Sequence, residues 1–233
     1  MIKNNVSAVI VTYFPDFFHL KKLIENLNLQ VDNIIICDNS PSNLNLSNFL
    51  NENIEITNSK IKVLEFNFNL GIAEAQNKGM DWAYANGADF VLHLDQDSMP
   101  DKNIVKNLVE SYYRLLELGY SVGLLGSTFY DHVTNKLHEK NQLYYSKSIE
   151  QTDEFLTNSF LISSGMLIPK STYKTVGLFE SDLFIDLVDF EYCWRVTKFN
   201  LSVHLVKKAR IETSVGKGIV RVFFNLYEII DIV

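Results

Sequence analysis

The chain has 233 residues and a formal net charge of -7; 47% of its residues are hydrophobic and 21% are charged. This composition is typical of a soluble globular protein and argues against a disordered or fibrous chain. The negative charge argues against a nucleic-acid partner, because binding to a phosphate backbone requires a basic surface. The sequence contains no repeat and no linker, so we predict one domain over residues 1–233.

The first hundred residues alternate between strand and helix patterns. The predicted strands are Val6 to Thr12, Asn33 to Cys37, Lys62 to Phe66 and Phe90 to Leu94. The predicted helices are Asp16 to Leu29, a short one around Leu46 to Asn51, and Ile72 to Ala85. This alternation predicts a mainly parallel, doubly wound α/β sheet.

After residue 100 the pattern changes to one long helix and several shorter strands. The helix is predicted at Asp101 to Leu118, and a polar entry followed by a helix at Ser181 to Lys198. The strands are predicted at Val122 to Tyr130, Leu137 to Tyr145, Phe160 to Ile168 and Leu201 to Val206. We expect both halves to share one sheet.

The cysteines and the first strand bear on the compartment. Cys37 and Cys193 lie in apolar surroundings without a CxxC arrangement, which indicates reduced, buried thiols, although a disulfide between them stays open. The apolar run Val6 to Thr12 is too short for a signal peptide or a membrane span. We therefore expect a cytoplasmic protein.

Two acids, Asp95 and Asp97, follow the predicted strand Phe90 to Leu94. In open α/β sheets, ligands bind beyond the carboxyl ends of the strands. Two carboxylates there suit Mg²⁺ or Mn²⁺ holding a diphosphate, because such ions take few protein ligands and keep waters. Asp97 is the better placed to bind the ion directly, whereas Asp95 is expected to contact the sugar or a metal-bound water; the alternative for the pair is a solvated Asp-rich turn. His93 is expected to be a buried, hydrogen-bonded histidine outside the site.

Two further strand ends carry polar residues. Asp38 follows the second strand and could accept the N–H of a uracil or thymine ring, or form an Asx turn. Asn69 and Gly71 lie between the third strand and its helix, where backbone N–H groups can face an anionic ligand. Asn77, further along this helix, is expected to reach the crevice. An ordinary strand-to-helix turn would use the same Asn-x-Gly spacing.

The segment Leu183 to Arg195 contains three acids, Asp186, Asp189 and Glu191. If a helix begins near Asp189, then Glu191 and Arg195 form an i,i+4 ion pair. Asp189 then lies at the helix N-terminus, where a carboxylate can take the proton of an acceptor hydroxyl. The alternative is an acidic first turn that complements the helix dipole.

In this order the motifs resemble those of family 2 glycosyltransferases with the GT-A fold, over roughly residues 6 to 220. The stretches NLGIAEAQNKG, FVLHLDQDS, ISSGMLIP and VGLFESDLFIDLVDFEYCWR look like bacterial rhamnosyltransferases that use dTDP-L-rhamnose. The resemblance implies a mixed, mainly parallel α/β sheet flanked by helices, with a nucleotide-binding half at residues 1–100 and an acceptor-side half at 101–233.

The same resemblance implies a function and a set of site residues. The function is metal-dependent, inverting transfer of a sugar, L-rhamnose, from a dTDP- or UDP-linked donor to a saccharide or lipid-linked saccharide in bacterial surface-polysaccharide synthesis. Asp189 would be the catalytic base, and Asp95 and Asp97 would hold Mg²⁺ or Mn²⁺. The other implied residues are Thr12, Asp38, Asn69, Gly71, Asn77 and Asp95 for the nucleotide sugar, and Ser164, Gly165, Asp186, Glu191 and Arg195 for the acceptor side.

One position departs from the family pattern. Such enzymes often carry a histidine three residues before a late glycine, whereas this chain has Thr213 in IETSVGKG. Threonine is a poorer ligand than histidine for a metal or diphosphate, so the identity of a third protein ligand to the metal stays open.

For the apolar segment 219–233 the two expectations are packing on its own domain and peripheral contact with the inner face of the plasma membrane.

Two other functions fit parts of the sequence. Asp95-Gln96-Asp97-Ser98 loosely fits the nucleophile motif of haloacid-dehalogenase-type phosphatases, but that motif normally ends the first strand, and three strand units precede it here. A catalytically silent module that binds a nucleotide sugar or glycan is the third hypothesis, and Thr213 favours it.

Overall fold

The structure, a computed structural model, describes residues 4–41, 46–54, 60–131, 136–137, 152–157 and 160–212. Most of the predicted strand Leu137 to Tyr145 lies outside these residues, and so do Thr213 and the segment 219–233. Those predictions therefore stay predictions.

Helices and strands alternate through the first half of the described chain. The helices are α1 (Phe17–Asn28), α2 (Leu46–Asn53), α3 (Ile72–Ala85), α4 (Ile104–Glu117), α5 (Lys170–Val176) and α6 (Val188–Lys198). The strands are β1 (Val6–Thr12), β2 (Asn33–Pro41), β3 (Ile61–Asn67), β4 (Phe90–Asp95), β5 (Met99–Pro100), β6 (Val122–Asp131), β7 (Lys136–Leu137), β8 (Phe155–Thr157), β9 (Leu167–Pro169) and β10 (Ser202–Glu212). A short 3-10 turn at Ser181–Leu183 precedes α6.

The described strands form one mixed sheet in the order β3-β2-β1-β4-β9-β6-β10-β5, with β7 paired to β6 and β8 to β10. Strands β3, β2, β1 and β4 run parallel to one another. Strand β9 is antiparallel to its neighbours β4 and β6, and β10 is parallel to β6. The prediction of a mixed, mainly parallel sheet that both halves share is thereby confirmed.

Helices cover both faces of the sheet. Side chains of α1, α2 and α4 form one buried apolar layer with Ala8 and Ile10 of β1, while α3, α5 and α6 form the other with Val9. Successive side chains of a strand point to opposite faces, so His93 and Asp95 share the face of Val91, which lies in the second layer. The acid at the end of β4 thus lies on the side of α3 and α6.

Two of the predicted elements differ from the structure. The predicted strand Phe160 to Ile168 is wrong over most of its length: the chain turns at Ser163–Gly165, where Gly165 has φ 81, and the strand is limited to Leu167–Pro169. Helix α4 begins at Ile104 rather than at Asp101, because Met99–Pro100 first pairs with β10. The other predicted elements within the described residues occur where predicted, although β2 and β10 extend further, to Pro41 and Glu212. Helix α5 and the short strands β5 and β8 were not predicted.

Both cysteines are free and buried, as expected for reduced thiols. Within the described part of the chain, every helix falls short of the length and apolar character that crossing a membrane requires.

Candidate active site

Polar side chains converge where β2, β1 and β4 end. Parallel pairing places Thr12 of β1 beside Asp38 of β2, and Val11 beside Asp95 of β4. Because these three strands run in the same direction, their carboxyl ends open onto the same edge of the sheet. The structure therefore brings the predicted residues Thr12, Asp38 and Asp95 to one place.

Asp38 is buried and held through one of its two carboxylate oxygens. Thr12 Oγ1 donates a hydrogen bond to Asp38 Oδ1 at 2.8 Å, and the Ser40 hydroxyl and N–H donate to the same oxygen at 2.7 and 3.1 Å. These contacts fix the orientation of the carboxylate and leave Oδ2 as the oxygen that can accept an N–H from a ligand. The hydrogen bond from the Ser40 N–H forms the Asx turn that was one prediction for Asp38. This turn is compatible with the other prediction, binding of a uracil or thymine ring, because it uses only Oδ1.

Gln96 lies between the two acids and was missed by the sequence analysis. The N–H of Tyr13 donates to Gln96 Oε1 at 2.8 Å, and Gln96 Nε2 donates to the carbonyl of Tyr13 at 3.2 Å. We call residues Asp95 to Ser98 the acidic loop. Gln96 thus connects the acidic loop to Tyr13, the residue that follows Thr12 at the end of β1.

Replacing Gln96 with methionine should weaken this link without adding charge. Each lost hydrogen bond contributes about 1 kcal/mol to stability, so we expect the free energy of unfolding to fall by roughly 1 to 2 kcal/mol in urea denaturation. The Asn107→Leu variant removes a single amide contact, to the carbonyl of Lys208 on the α4 side, and should lose about 1 kcal/mol at most. An unchanged free energy of unfolding in Gln96→Met would contradict a stabilising link.

Asp95 and Asp97 differ in their surroundings. Asp97 is exposed, whereas Asp95 is partly buried. Burial of its carboxyl group, with the negative charges of Asp97 and Asp189 nearby, raises the pKa of Asp95 from 3.8 to about 6. The three acids therefore lie close enough to repel one another, and a cation among them would relieve that repulsion.

The donor set fits a hard divalent cation that brings other ligands with it. Among the described residues, no group of three or more His, Cys, Asp or Glu side chains could hold a metal ion. Mg²⁺ and Mn²⁺ sites that serve phosphates commonly use one or two carboxylates, completed by water and phosphate oxygens. Asp95 and Asp97 can supply that number.

Asp189 lies in the first turn of α6, close to where the sequence predicted the helix to begin. The N–H of Ser163 donates to Asp189 Oδ2 at 3.2 Å, and the N–H of Phe190 donates to Oδ1 at 2.9 Å. Burial raises the pKa of Asp189 above its usual range, while these two N–H groups oppose that rise. The result is an oriented carboxylate that acts electrostatically on Asp95.

The predicted acceptor residues Ser164 and Gly165 are both buried, in the turn between Leu161 and β9. The Ser164 hydroxyl accepts a hydrogen bond from the N–H of Asp95 at 3.2 Å and lies 2.8 Å from the Ser98 hydroxyl. The N–H of Gly165 donates to the carbonyl of His93 at 2.8 Å. The turn is thus fastened to β4 and to both ends of the acidic loop.

The N-terminus of α3 is occupied by protein, which corrects the prediction that it faces an anionic ligand. The carbonyl of Phe184 accepts hydrogen bonds from the N–H groups of Ile72 and Ala73 at 2.7 and 3.3 Å. Asn69 Oδ1 accepts the N–H of Gly71 at 2.9 Å, an Asx turn. The N–H groups that were expected to face an anionic ligand therefore hold the loop before α6.

Gly71 is required because Phe184 packs directly on it. Gly71 has φ 81, and a Cβ there would lie 2.6 Å from Phe184 Cδ2 and 2.7 Å from its carbonyl oxygen. We expect Gly71→Ala to lower the free energy of unfolding by roughly 2 to 3 kcal/mol, measured by urea denaturation. Gly87→Ala is the matched control: Gly87 has φ 90 and no atom of the described residues lies within 4 Å of such a Cβ, so only about 1 kcal/mol of backbone strain is expected. Equal losses in the two variants would show that the Phe184 contact is unimportant.

Asn77 binds the backbone ahead of α6 instead of pointing into the crevice. Its Nδ2 donates to the carbonyl of Phe179 at 2.9 Å, and its Oδ1 accepts the N–H of Phe179 at 2.8 Å. Both ends of the amide are thereby used, and the side chain is buried. This placement gives Asn77 a structural contact.

The predicted ion pair between Glu191 and Arg195 is confirmed. Arg195 Nε and Nη2 each donate to a Glu191 carboxylate oxygen at 2.7 Å. Arg195 also donates to the carbonyls of Val176 and Leu178, at 2.9 and 2.7 Å. The ion pair thus anchors the end of α5 and the segment that follows it.

Asp186, the other predicted acceptor residue of this region, is exposed and lies three residues before Asp189.

His93 is buried as predicted, but the expected hydrogen bonds are missing. Among the described residues neither ring nitrogen has a partner, and the ring packs edge-on against Phe179 with centroids 5.4 Å apart. Burial lowers the pKa of His93 to about 3, so the ring is neutral.

Comparison with known proteins identifies the family of the chain. Residues 7–177 match the sequence profile described as Glycosyl transferase family 2. Over 226 residues the chain is 30% identical to a Shigella flexneri protein named dTDP-rhamnosyl transferase RfbF. The aligned region covers 95% of this chain and 73% of that protein.

Two solved structures share the fold at low sequence identity. The crystal structure of GalNAc-T7 with UDP, GalNAc and Mn²⁺ matches 90% of this chain and 44% of its own, with a TM-score of 0.69 and 14% identity. The crystal structure of S. aureus TarS matches 91% of this chain and 37% of its own, with a TM-score of 0.61 and 14% identity. The chain thus spans less than half of each of these proteins, and the likeness shows a shared GT-A fold.

Proposed function

The chain belongs to glycosyl transferase family 2, and from this membership we propose that it transfers L-rhamnose from a dTDP-linked donor to a saccharide hydroxyl. The name of the Shigella flexneri relative supports the donor. A UDP-linked sugar is the second candidate, because Asp38 can accept the same ring N–H from uracil as from thymine. The observation that carries the proposal is the oriented, half-buried Asp189 carboxylate beside the acidic loop.

Asp189 acts as the general base in this proposal. An acceptor hydroxyl donates its proton to the Asp189 carboxylate as its oxygen attacks the anomeric carbon of the donor sugar. The bond from that carbon to the diphosphate breaks in the same displacement, so the configuration at the carbon inverts. The raised pKa of Asp189 favours this role, because a stronger base takes the proton more readily.

Asp38 selects the nucleotide by its fixed carboxylate. Thymine and uracil carry a ring N–H that Asp38 Oδ2 can accept, whereas cytosine has a bare ring nitrogen at that position and would meet the carboxylate with a lone pair. The hydroxyls of Thr12 and Ser40 hold Asp38 Oδ1, which keeps the acceptor oxygen in place. A buried acceptor left without its partner is costly, so the discrimination should be strong.

Asp95 and Asp97 are the residues that would hold a divalent cation. Bound there, Mg²⁺ or Mn²⁺ would stabilise the negative charge that develops on the departing nucleoside diphosphate. Asp97 is exposed and free to approach the ion, while Asp95, whose N–H donates to Ser164, would contact the sugar or a metal-bound water. The presence of Mn²⁺ in the GalNAc-T7 structure supports a divalent ion.

The acceptor side lies around the start of α6. Asp186 is exposed close to Asp189 and is the acidic side chain best placed to contact the acceptor, while Glu191 and Arg195 shape the neighbouring segment. We place the reaction in the cytoplasm, in the assembly of a bacterial surface polysaccharide on a saccharide or lipid-linked saccharide.

Family membership replaces the phosphatase hypothesis for the Asp95-x-Asp97 motif. The catalytically silent module remains the competing function, and transfer activity separates the two. Such a module would bind a nucleotide sugar without consuming it.

The test is a thermal-shift screen followed by a transfer assay. Ligands that bind only the native state raise the melting temperature, so dTDP-rhamnose with MnCl₂ should give the largest shift among dTDP-, UDP-, GDP- and CMP-sugars. Transfer to candidate saccharides is then followed by mass spectrometry and by NMR of the new anomeric proton. Binding without transfer to any acceptor would favour the silent module, and a shift confined to CMP-sugars would overturn the role of Asp38.

A further inference from the structure

The turn Ser163–Gly165, which we call the serine turn, connects the acidic loop to the proposed base. Its middle residue, Ser164, accepts a hydrogen bond from the N–H of Asp95 and pairs with the Ser98 hydroxyl. Its first residue, Ser163, donates its N–H to Asp189 Oδ2. One short segment thus contacts the backbone of the acidic loop and the carboxylate of the proposed base.

The serine turn has little freedom to move. The N–H of Gly165 donates to the carbonyl of His93, and the N–H of His93 donates to the carbonyl of Met166. At Gly165 a Cβ would lie 1.9 Å from Ser127 Oγ and 2.6 Å from Ile211 Cδ1, so the backbone is packed tightly against β6 and β10. A turn fixed to three strands can act as a rigid spacer.

Ser164 itself is only 4% exposed, so its hydroxyl is closed off from an acceptor sugar. Among the described residues, both hydrogen-bond contacts of this hydroxyl are with the acidic loop, one at each end of the loop. The Ser164 hydroxyl therefore affects substrates only through Asp95, because it holds the backbone of the residue that carries the carboxylate.

We propose that Ser164 is a positioning residue that holds the acidic loop at a fixed distance from Asp189. The donor diphosphate and the acceptor hydroxyl are thereby held in the relative positions that the transfer requires. This inference rests on the proposed function, because it assigns the diphosphate to the acidic loop and the acceptor to Asp189. It differs from the role in the acceptor pocket that the sequence implied for Ser164.

The test separates positioning from general stability by measuring nucleotide affinity with and without metal. The Ser164→Ala and Ser164→Cys variants both lose a good acceptor for the Asp95 N–H, and cysteine also keeps most of the volume. Calorimetry with dTDP and with UDP, in EDTA and in MnCl₂, gives the gain in affinity on adding Mn²⁺. Ser111→Ala is the matched control, because Ser111 is another buried serine, in α4, whose hydroxyl has no partner among the described residues.

We expect both Ser164 variants to keep the wild-type affinity in EDTA and to lose about tenfold of the gain that Mn²⁺ provides, while Ser111→Ala matches the wild type. An undiminished gain in the Ser164 variants would overturn the inference. Equal losses with and without Mn²⁺ would also overturn it, because they indicate a structural role alone. If wild-type protein binds neither dTDP nor UDP, the proposed function fails and the inference fails with it.

Discussion

Replacing Asp189 with asparagine is expected to lower the turnover number by about 10² to 10⁴-fold, the usual contribution of a positioned general base. Asparagine keeps the shape and the acceptor oxygen of the side chain, so the contact with the Ser163 N–H can persist. It cannot take a proton. The affinity for dTDP should stay within a factor of about three, because Asp38 and the acidic loop are unchanged.

Steady-state kinetics with a saccharide acceptor measure this loss, and Asp182→Asn is the control, since Asp182 is an exposed acid earlier in the same segment. The pH profile adds a second test. Because the pKa of Asp189 is raised, its active, deprotonated form should be lost at a higher pH than for an ordinary aspartate as the solution is acidified. Near-normal turnover of Asp189→Asn would remove Asp189 from the mechanism.

Replacing Asp95 with asparagine is expected to stabilise the protein in the absence of metal while abolishing transfer. The pKa of Asp95 is raised to about 6 in the folded state. A raised carboxyl pKa means that the folded state binds the proton more tightly than the unfolded chain does. The ionised Asp95 carboxylate therefore destabilises the folded protein fully above pH 6, and this destabilisation disappears as the pH falls towards 4.

At pH 7.5 in EDTA, Asp95→Asn should gain roughly 2 kcal/mol in the free energy of unfolding, and the gain should vanish near pH 4. MnCl₂ should raise the melting temperature of the wild type and leave that of the variant nearly unchanged. Asp153→Asn, which alters an exposed acid, should change neither quantity. Destabilisation of Asp95→Asn at pH 7.5 would contradict the proposed repulsion among the acids.

The elements that local pattern determines were predicted well. Helix α3 was predicted at Ile72 to Ala85 and has those bounds, because an amphipathic run lies between Gly71 and the Asn86-Gly87 pair. Strands β1, β2 and β4 are apolar runs followed by turn residues, and their shared direction brought Asp38 and Asp95 together as expected. For such segments sequence spacing is sufficient.

The contacts that join distant segments could not be predicted from one sequence. The stretch Phe160 to Ile168 was predicted as one strand, yet it turns because Gly165 meets β6 and β10 and hydrogen-bonds to β4. Nothing near Gly71 indicates that the carbonyl of Phe184 will occupy the start of α3. Gln96 likewise finds its partner in Tyr13, at the end of another strand.

The pairing of β5 with β10 has a consequence for how the enzyme is made. Met99–Pro100, which follow the acidic loop directly, pair with Ile211 and Glu212 near the end of β10. On the ribosome the amino-terminal part of a chain emerges and begins to fold first. The nascent chain can therefore assemble β1 to β4 while the far end of the acidic loop is still unsupported. We expect a polypeptide arrested before residue 211 to lack a finished donor site, so that nucleotide binding reports that translation has passed β10.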